Sequence, residues 1–282
     1  MKKLILPLVL GCLGCTQLEG TTVVVVRTPK HFVVAADSLW IGVDPASPSH
    51  EEHKFLCKII RFGHIYFVAA TVDVDGRQLM AFAAQAMKTS ATVAEAAHGL
   101  AVKSDEIAKR TAKAPQVAID GCWGRRCAQA MFFGIESGVP TWVVVNFEQA
   151  GNSRQNLKFI PHEIPCLGKC LDMPRSVIVI GQNEAIDHNS RTDPNFIKRY
   201  SEQDVARKLV ELEEQADPEE VGGPIDVLTL DAEGAHWAYV KGGTCSPEDE
   251  TKPKKPKSKA ERVKPPQMHA SATLRATDGK FF

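Results

Sequence analysis

The sequence predicts a globular domain of the α+β class. Segments 22–28 and 31–37 are rich in valine and other apolar residues, a composition typical of buried β-strands. Later segments are alanine-rich, with apolar residues at helical spacing. The chain has 282 residues, of which 44% are hydrophobic, and equal numbers of acidic and basic residues. A chain of this length and composition can bury a sizeable core.

The first predicted element is a hairpin with strands at Thr22 to Thr28 and His31 to Asp37 around Pro29-Lys30. Pairing of these strands would bring their outer ends, and therefore Thr21 and Asp37, side by side. A short strand is predicted at Ile65 to Val68.

Two helices are predicted next, at Val74 to Ser90 and Ala91 to Lys113. The remaining predicted elements are strands at Ala130 to Ile135, Thr141 to Phe147 and Ser176 to Ile180, a helix at Ser201 to Ala216, and strands at Ile225 to Leu230 and His236 to Val240. The segment Ile41 to His53 is predicted to be a loop.

The junction Gly20-Thr21 is the strongest functional indication. A threonine hydroxyl is a poor nucleophile near neutral pH, but a free α-amine on the same residue can accept its proton. Cleavage between Gly20 and Thr21 would therefore create an active site. The structural alternatives are that Thr21 is an ordinary β-former, that Asp37 forms a turn and that Lys58 points into solvent.

Gly20, Thr21, Asp37 and Lys58 occur in an order and spacing that resembles the proteasome β-subunit family of N-terminal nucleophile hydrolases, of the threonine peptidase type. The matching features are the Gly-Thr junction, the Ala-Asp-Ser that places Asp37 sixteen residues after Thr21, and Lys58 before a short apolar strand. A Gly222-Gly223 turn before a late strand also matches, so the resemblance spans residues 21–243.

The resemblance implies a four-layer αββα sandwich with Thr21 as nucleophile and its own amine as general base. Lys58 would favour the alkoxide, and Asp37 would be the carboxylate that a buried ammonium needs. Backbone N–H groups near Ala70 and Thr71 would form the oxyanion hole. No metal or cofactor is required.

Three departures from the family are visible. Leu39 follows Asp37-Ser38 where the family has arginine, and Gln182 stands where it has serine. The Ala69-Ala70-Thr71 segment lacks the family's glycine. Because of these changes, a catalytically inactive member of the family is an alternative.

Residues 1–20 are predicted to be an export signal and pro-segment, because Met1-Lys2-Lys3 precedes a short apolar run. Cys12 and Cys15 each lie in an imperfect lipidation motif, and self-cleavage after Gly20 would release an anchored enzyme. Residues 21–244 would form the hydrolase domain. Residues 245–282 would form a disordered Lys/Pro-rich tail, with an electrostatic tether to an anionic membrane or cell-wall surface as the alternative.

Six cysteines remain beyond the signal region, an even number that fits disulfide pairing in an oxidising compartment. Cys122–Cys127 and Cys166–Cys170 are the local pairs that the spacing suggests. A four-thiolate zinc site and a free, buried Cys57 are the alternatives.

No basic stripe with interleaved aromatic residues indicates nucleic-acid binding. The sequence therefore predicts an exported, self-processing threonine peptidase of the periplasm or cell envelope, lipid-anchored or soluble, that cleaves peptide amide bonds. A small-molecule amidase acting on acyl amides and a degenerate binding or assembly subunit are the alternatives. The subunit count, including a homo-oligomer, is left open.

Overall fold

The computed structural model describes residues 21–44, 47–71, 76–113, 126–151, 153, 155–166, 169–239 and 245. Twelve strands and seven helices are formed by these residues. The strands are β1 Thr22–Arg27, β2 Phe32–Asp37, β3 Leu39–Asp44, β4 Ser47–Phe55, β5 Ile60–Phe62, β6 Ile65–Thr71, β7 Arg126–Glu136, β8 Val139–Ala150, β9 Lys158–Pro165, β10 Ser176–Gly181, β11 Ile225–Asp231 and β12 Gly234–Tyr239. The helices are α1 Gly76–Thr89, α2 Val93–Ala101, α3 Ser104–Lys113, α4 Lys169–Asp172, α5 Glu184–Thr192, α6 Phe196–Arg199 and α7 Glu202–Ala216.

One antiparallel sheet has the order β10-β1-β2-β11-β12. The predicted hairpin is confirmed, since β1 pairs with β2 from Val23 opposite Ala36 to Arg27 opposite Phe32. On its other side β1 pairs with β10, in a register that sets Thr22 opposite Gly181. The start of β1 is therefore flanked by the ends of two strands.

A second antiparallel sheet has the order β5-β6-β7-β8-β9. The predicted strands in this part of the chain are confirmed, although β7, β8 and β6 extend further than predicted. The end of β6 lies beside the end of β10 in the first sheet. The Cβ of Ala70 is 2.7 Å from the position that a Cβ on Gly181 would take.

The run of four valines in β1 is buried on both faces. Val23 and Val25 belong to an apolar cluster with Val68 and other residues of the second sheet. Val24 and Val26 belong to a different cluster, which includes Leu209 of α7. A strand covered on both faces has no polar side, so its sequence is continuously apolar instead of alternating.

The predicted four-layer αββα sandwich is wrong. The described residues form a mixed α+β arrangement of two five-stranded antiparallel sheets with helices, and a four-layer sandwich is not shown. A third sheet is present, because β3 and β4 pair with each other across the segment 41–53 that was predicted to be a loop. The four layers were implied by the family resemblance alone, and the segment 41–53 departs from that family in length.

The prediction of a single helix over 91–113 is wrong, because the segment forms two helices, α2 and α3. Thr92 caps α2, where its side chain accepts a hydrogen bond from the Glu95 N–H at 3.1 Å. The helix ends at Ala101, and the N–H of Lys103 donates to Leu100 O, a tighter bond than the α-helical one. The chain then turns before α3 begins at Ser104.

Two disulfides join described cysteines, Cys57–Cys245 and Cys166–Cys170. The second pair confirms the prediction, whereas the alternative of a free Cys57 is wrong. Cys127 is also disulfide-bonded, but the predicted pair Cys122–Cys127 includes a residue outside the described ranges. Disulfides of this kind are typical of proteins that fold in an oxidising compartment.

All described residues belong to one compact unit. The predicted signal and pro-segment, 1–20, and the tail beyond residue 245 lie outside the described ranges. Cys245 itself is 2% exposed.

Candidate active site

The candidate site lies where β1 begins. Thr21 is half-buried and immediately precedes the strand. Its carbonyl accepts a hydrogen bond from the N–H of Gln182 at 3.0 Å, one residue beyond the end of β10. The backbone of Thr21 is therefore fixed against the neighbouring strand before any side chain acts on it.

The structure brings together the three side chains predicted from the sequence, those of Thr21, Asp37 and Lys58, which form a trio. Lys58 Nζ donates to Thr21 Oγ1 at 2.9 Å and to Asp37 Oδ2 at 2.7 Å. The ammonium thus bridges the hydroxyl and the carboxylate. Gly20, the residue predicted on the other side of the cleavage point, lies outside the described residues.

Asp37 is held at the end of β2. Its Oδ1 accepts a hydrogen bond from the backbone N–H of Thr22 at 2.9 Å, which follows from the pairing of β1 with β2. The backbone N–H of Gly222 also stabilises the carboxylate. Asp37 is only 1% exposed, so these hydrogen bonds and Lys58 replace the water that burial removes.

Lys58 comes from the irregular segment 56–59 between β4 and β5. The segment is fixed at two points. The N–H of Leu56 donates to Ser38 O at 2.8 Å, and Cys57 is bonded to Cys245. The Lys58 side chain is 10% exposed, so its ammonium reaches Thr21 and Asp37 from a largely buried position.

Burial shifts both charged groups toward their neutral forms. It lowers the pKa of Lys58 from its ordinary value, against the opposing effect of the Asp37 charge. Burial likewise raises the pKa of Asp37, against the Lys58 charge and the N–H donors of Thr22 and Gly222. Both directions reduce the free energy needed to move a proton from Lys58 toward Asp37.

The two residues predicted to form the oxyanion hole lie at the end of β6. Ala70 is buried and adjoins Gly181, which itself touches the Thr21 carbonyl. The side chain of Thr71 faces the start of α1, since its Oγ1 lies 3.3 Å from where a Cβ on Gly76 would lie. Ala70 thus adjoins a residue that contacts Thr21, and the role of the two backbone N–H groups stays a prediction.

Gly181 is a site residue for which the sequence pattern gave no role. Its φ is +92°, and an added Cβ would lie 1.9 Å from Thr21 O. Only glycine fits both the left-handed backbone and this close approach. A glycine ending a valine- and isoleucine-rich strand was the available indication in the sequence.

Gln182 also contacts the backbone of Thr21. Besides its N–H bond to Thr21 O, its carbonyl accepts a hydrogen bond from Thr22 Oγ1 at 3.0 Å. In the sequence, this residue stands out only as a departure from the family's serine. The Cys57–Cys245 pair was missed as well, because 188 residues separate its members.

A cavity of about 390 Å³ lies elsewhere, beside α7 and the strands β11 and β12. Its described lining residues include Asp204, Arg207 and Glu211, but none of the trio. Within the described ranges, no group of three or more histidine, cysteine or acidic residues is arranged to hold a metal ion. No described helix is long and apolar enough to cross a membrane.

Comparison with known proteins finds no matching family model and no matching curated protein. The chemistry of Thr21, Asp37 and Lys58 is therefore the basis on which a function is inferred. Lys58 donates a hydrogen bond to the oxygen of the Thr21 hydroxyl, so the hydroxyl proton is still available to a base. The ammonium also places a positive charge where an alkoxide would form. The arrangement suits activation of a threonine nucleophile.

Proposed function

We propose that the protein is a self-processing threonine hydrolase that cleaves peptide amide bonds through an acyl-enzyme on Thr21. The observation that carries the proposal is the 2.9 Å contact between Thr21 Oγ1 and Lys58 Nζ, with Lys58 paired to a buried Asp37. A lysine serving only as a surface charge would not be held in a nearly buried position against a hydroxyl.

Processing would begin with attack of Thr21 Oγ1 on the carbonyl carbon of Gly20. The C–N bond between the two residues breaks, the nitrogen gains a proton, and an ester links Gly20 to Oγ1. Water then hydrolyses this ester, which releases the Gly20 carboxylate and leaves Thr21 with a free α-amine. In this first reaction the Thr21 nitrogen is an amide, so the Lys58–Asp37 pair is the described group placed to handle the hydroxyl proton.

Substrate hydrolysis would follow the same sequence with a different base. The α-amine accepts the Oγ1 proton as the oxygen attacks the substrate carbonyl. The tetrahedral oxyanion collapses, the amide C–N bond breaks, and the ammonium returns its proton to the leaving amine. Water hydrolyses the resulting ester and restores Thr21. Lys58 stabilises the negative charge that develops on Oγ1 as it attacks the substrate and again as it leaves the ester.

We propose that the protein is exported and acts in the periplasm or cell envelope, anchored by lipidation or a basic tail or released by self-cleavage. Two disulfides between described cysteines support an oxidising setting. A chain released by cleavage after Gly20 would lose any lipid attached at residues 12 or 15.

The test is the intact mass and N-terminal sequence of the protein purified after export, for wild type, Thr21→Ala and Thr22→Val. Wild type is expected to begin at Thr21, and Thr21→Ala is expected to retain upstream residues. Thr22→Val is the matched control, because it removes the neighbouring hydroxyl and should still begin at Thr21. If wild type and Thr21→Ala begin at the same upstream residue, the hydrolase proposal fails and a binding or assembly role replaces it.

Substrate class follows from assays of the processed protein. Fluorogenic peptides and small acyl amides are compared, and a peptide boronate is used to trap the nucleophile. Hydrolysis of peptides with a boronate adduct on Thr21 supports the peptidase. Hydrolysis of small acyl amides alone would make the protein an amidase of the same mechanism.

A further inference from the structure

A side chain of the second sheet is bonded to the last residue of β10 in the first sheet. Gln129 of β7 accepts a hydrogen bond from the Gly181 N–H through its Oε1 at 3.0 Å. Its Nε2 donates to Oδ1 of Asn146 in β8, also at 3.0 Å. Both side chains are buried, with exposed fractions of 7% and 9%. The two hydrogen bonds therefore form a buried polar connection between the sheets that ends at a neighbour of Thr21.

The Gly181 N–H needs this acceptor because it lies on the edge of a sheet. In the first sheet β10 is the outermost strand, next to β1. The Gln182 N–H donates to Thr21 O, so the N–H of the preceding residue points the other way, away from β1. Among the described strands, none pairs with β10 on that side. Gln129 thus supplies the acceptor that a neighbouring strand would otherwise provide.

The orientation of the Gln129 amide is set by its two partners. A backbone N–H only donates, so Gly181 selects the amide oxygen, and Nε2 is left for Asn146. In the strand pairing, Gln129 lies directly opposite Asn146 on one side and directly opposite Ala70 on the other. Directly opposite residues project from the same face of a sheet. The three side chains therefore form one row, and both Ala70 and Gln129 contact Gly181.

This row is a polar interruption in an apolar interface. Two positions along the same strands lie Val68, Met131 and Val144, which all belong to the apolar cluster between the sheets. Apolar contacts are not directional, so they tolerate small displacements of one sheet against the other. A satisfied buried hydrogen bond defines one position. The Gln129 bond is therefore suited to fix where the end of β10 lies.

We propose that Gln129 is a positioning residue of the site, which places Thr21 for attack by holding Gly181. Asn146 keeps the Gln129 amide in the required orientation. The inference rests on the proposed function. A Cβ on Gly181 would lie 1.9 Å from Thr21 O, so a displacement of this glycine is passed on to Thr21. The contact at stake is the 2.9 Å between Thr21 Oγ1 and Lys58 Nζ, and a misplacement of about 1 Å at a reacting group can cost about 100-fold in rate.

The first experiment follows cleavage after Gly20 over time in an oxidising cell-free translation, by mass of the N-terminal peptide. Gln129→Met has a side chain of similar length without an acceptor, and it is expected to slow cleavage by about 10- to 100-fold. Asn146→Leu removes the acceptor for Nε2 and is expected to slow cleavage as well. Asn146→Asp keeps an acceptor there and is expected to slow cleavage less than Asn146→Leu does.

Val145→Ala is the matched control. Val145 is the neighbour of Asn146 in β8, but its side chain belongs to the apolar cluster on the other face of the sheet, with Leu100 of α2. The variant loosens the same strand without removing a partner of Gly181, and it is expected to cleave at the wild-type rate. Unfolding midpoints of all chains are compared, so that slow cleavage is not confused with loss of folded protein.

The second experiment needs no cleavage. Chains that begin at Thr21, released from a removable N-terminal fusion, are isotope-labelled, and hydrogen exchange of the Gly181 and Gln182 amides is measured by NMR. The Gln182 N–H is bonded to Thr21 O, so its exchange reports on how firmly Thr21 is held. Gln129→Met is expected to speed exchange of both amides by about tenfold or more, relative to the amides of β1. Faster exchange at Gly181 alone would overturn the inference.

The two experiments separate this inference from the proposed function. Absence of cleavage in wild type overturns the proposed function, and the exchange of the Gln182 amide then decides whether Gln129 holds Thr21. Normal cleavage in a folded Gln129→Met chain overturns the positioning role. If Gln129→Met does not fold, Asn146→Leu provides the same test, because it leaves Gln129 in place and removes only the partner that orients its amide.

Discussion

Cys57, the residue before Lys58, is joined by a disulfide to Cys245, 188 residues further along the chain. The bond attaches the irregular segment that carries Lys58 to a residue that follows the last described strand. The segment that places the lysine beside Thr21 is thus covalently attached to a residue distant in the sequence.

Loss of this link should affect both stability and activity. From loop length alone, the Cys57–Cys245 bond is expected to contribute about 5 kcal/mol and the Cys166–Cys170 bond about 2 kcal/mol to the free energy of unfolding. We expect Cys57→Ala/Cys245→Ala to destabilise more and also to lower turnover, because segment 56–59 loses an attachment point. Denaturant unfolding and kcat of each double variant check the prediction. Equal turnover in the two double variants would contradict a role for the long-range bond in placing Lys58.

Removal of Lys58 should make stability strongly dependent on pH. In Lys58→Met the buried Asp37 carboxylate loses its cation, which is expected to cost about 3–5 kcal/mol at neutral pH. Burial already raises the pKa of Asp37, and without Lys58 that pKa rises further. The folded variant then binds a proton more tightly than the unfolded chain, so its free energy of unfolding should fall as pH rises above the ordinary carboxyl range.

The measurement is guanidinium unfolding of wild type and Lys58→Met at pH 4.5 and 7.5. The difference between the two proteins should be small at pH 4.5 and large at pH 7.5. Asp37→Asn/Lys58→Met is the control, because it removes both charges and should abolish this added pH dependence. A difference that is the same at both pH values would mean that Asp37 is not left charged and unpaired in the variant.

Gly181→Ala should displace Thr21. The new Cβ would meet Thr21 O at 1.9 Å, in addition to the strain of a positive φ. Gly138→Ala is a matched control, since Gly138 has a φ of +77° and nothing within 4 Å of the added atom. The control is expected to cost about 1–2 kcal/mol from backbone strain alone.

We expect Gly181→Ala to cost more than Gly138→Ala and also to abolish cleavage after Gly20. Thermal unfolding and the N-terminal mass of each variant test this. Normal cleavage in Gly181→Ala would show that the close approach of Gly181 to Thr21 is not needed for the reaction.

The sequence by itself determined the strands β1, β2, β6, β7, β8, β10, β11 and β12 and the first hairpin, and it nominated Thr21, Asp37 and Lys58 as a set. Valine-rich segments form β1 and β2 because β-branched residues suit a strand that is buried on both faces. A tight hairpin then requires Asp37 to meet the start of β1. The chemistry of threonine, lysine and aspartate is local to each residue, so the residue types and their order were enough to nominate them.

Only the tertiary structure decided the rest. The third sheet, the break between α2 and α3 and the Cys57–Cys245 bond depend on packing between segments that are distant in sequence. The same holds for Gln182, whose contacts with Thr21 follow from the register of β10 against β1. Such contacts arise when the whole chain minimises exposed apolar surface and unsatisfied polar groups together, and no local pattern records that balance.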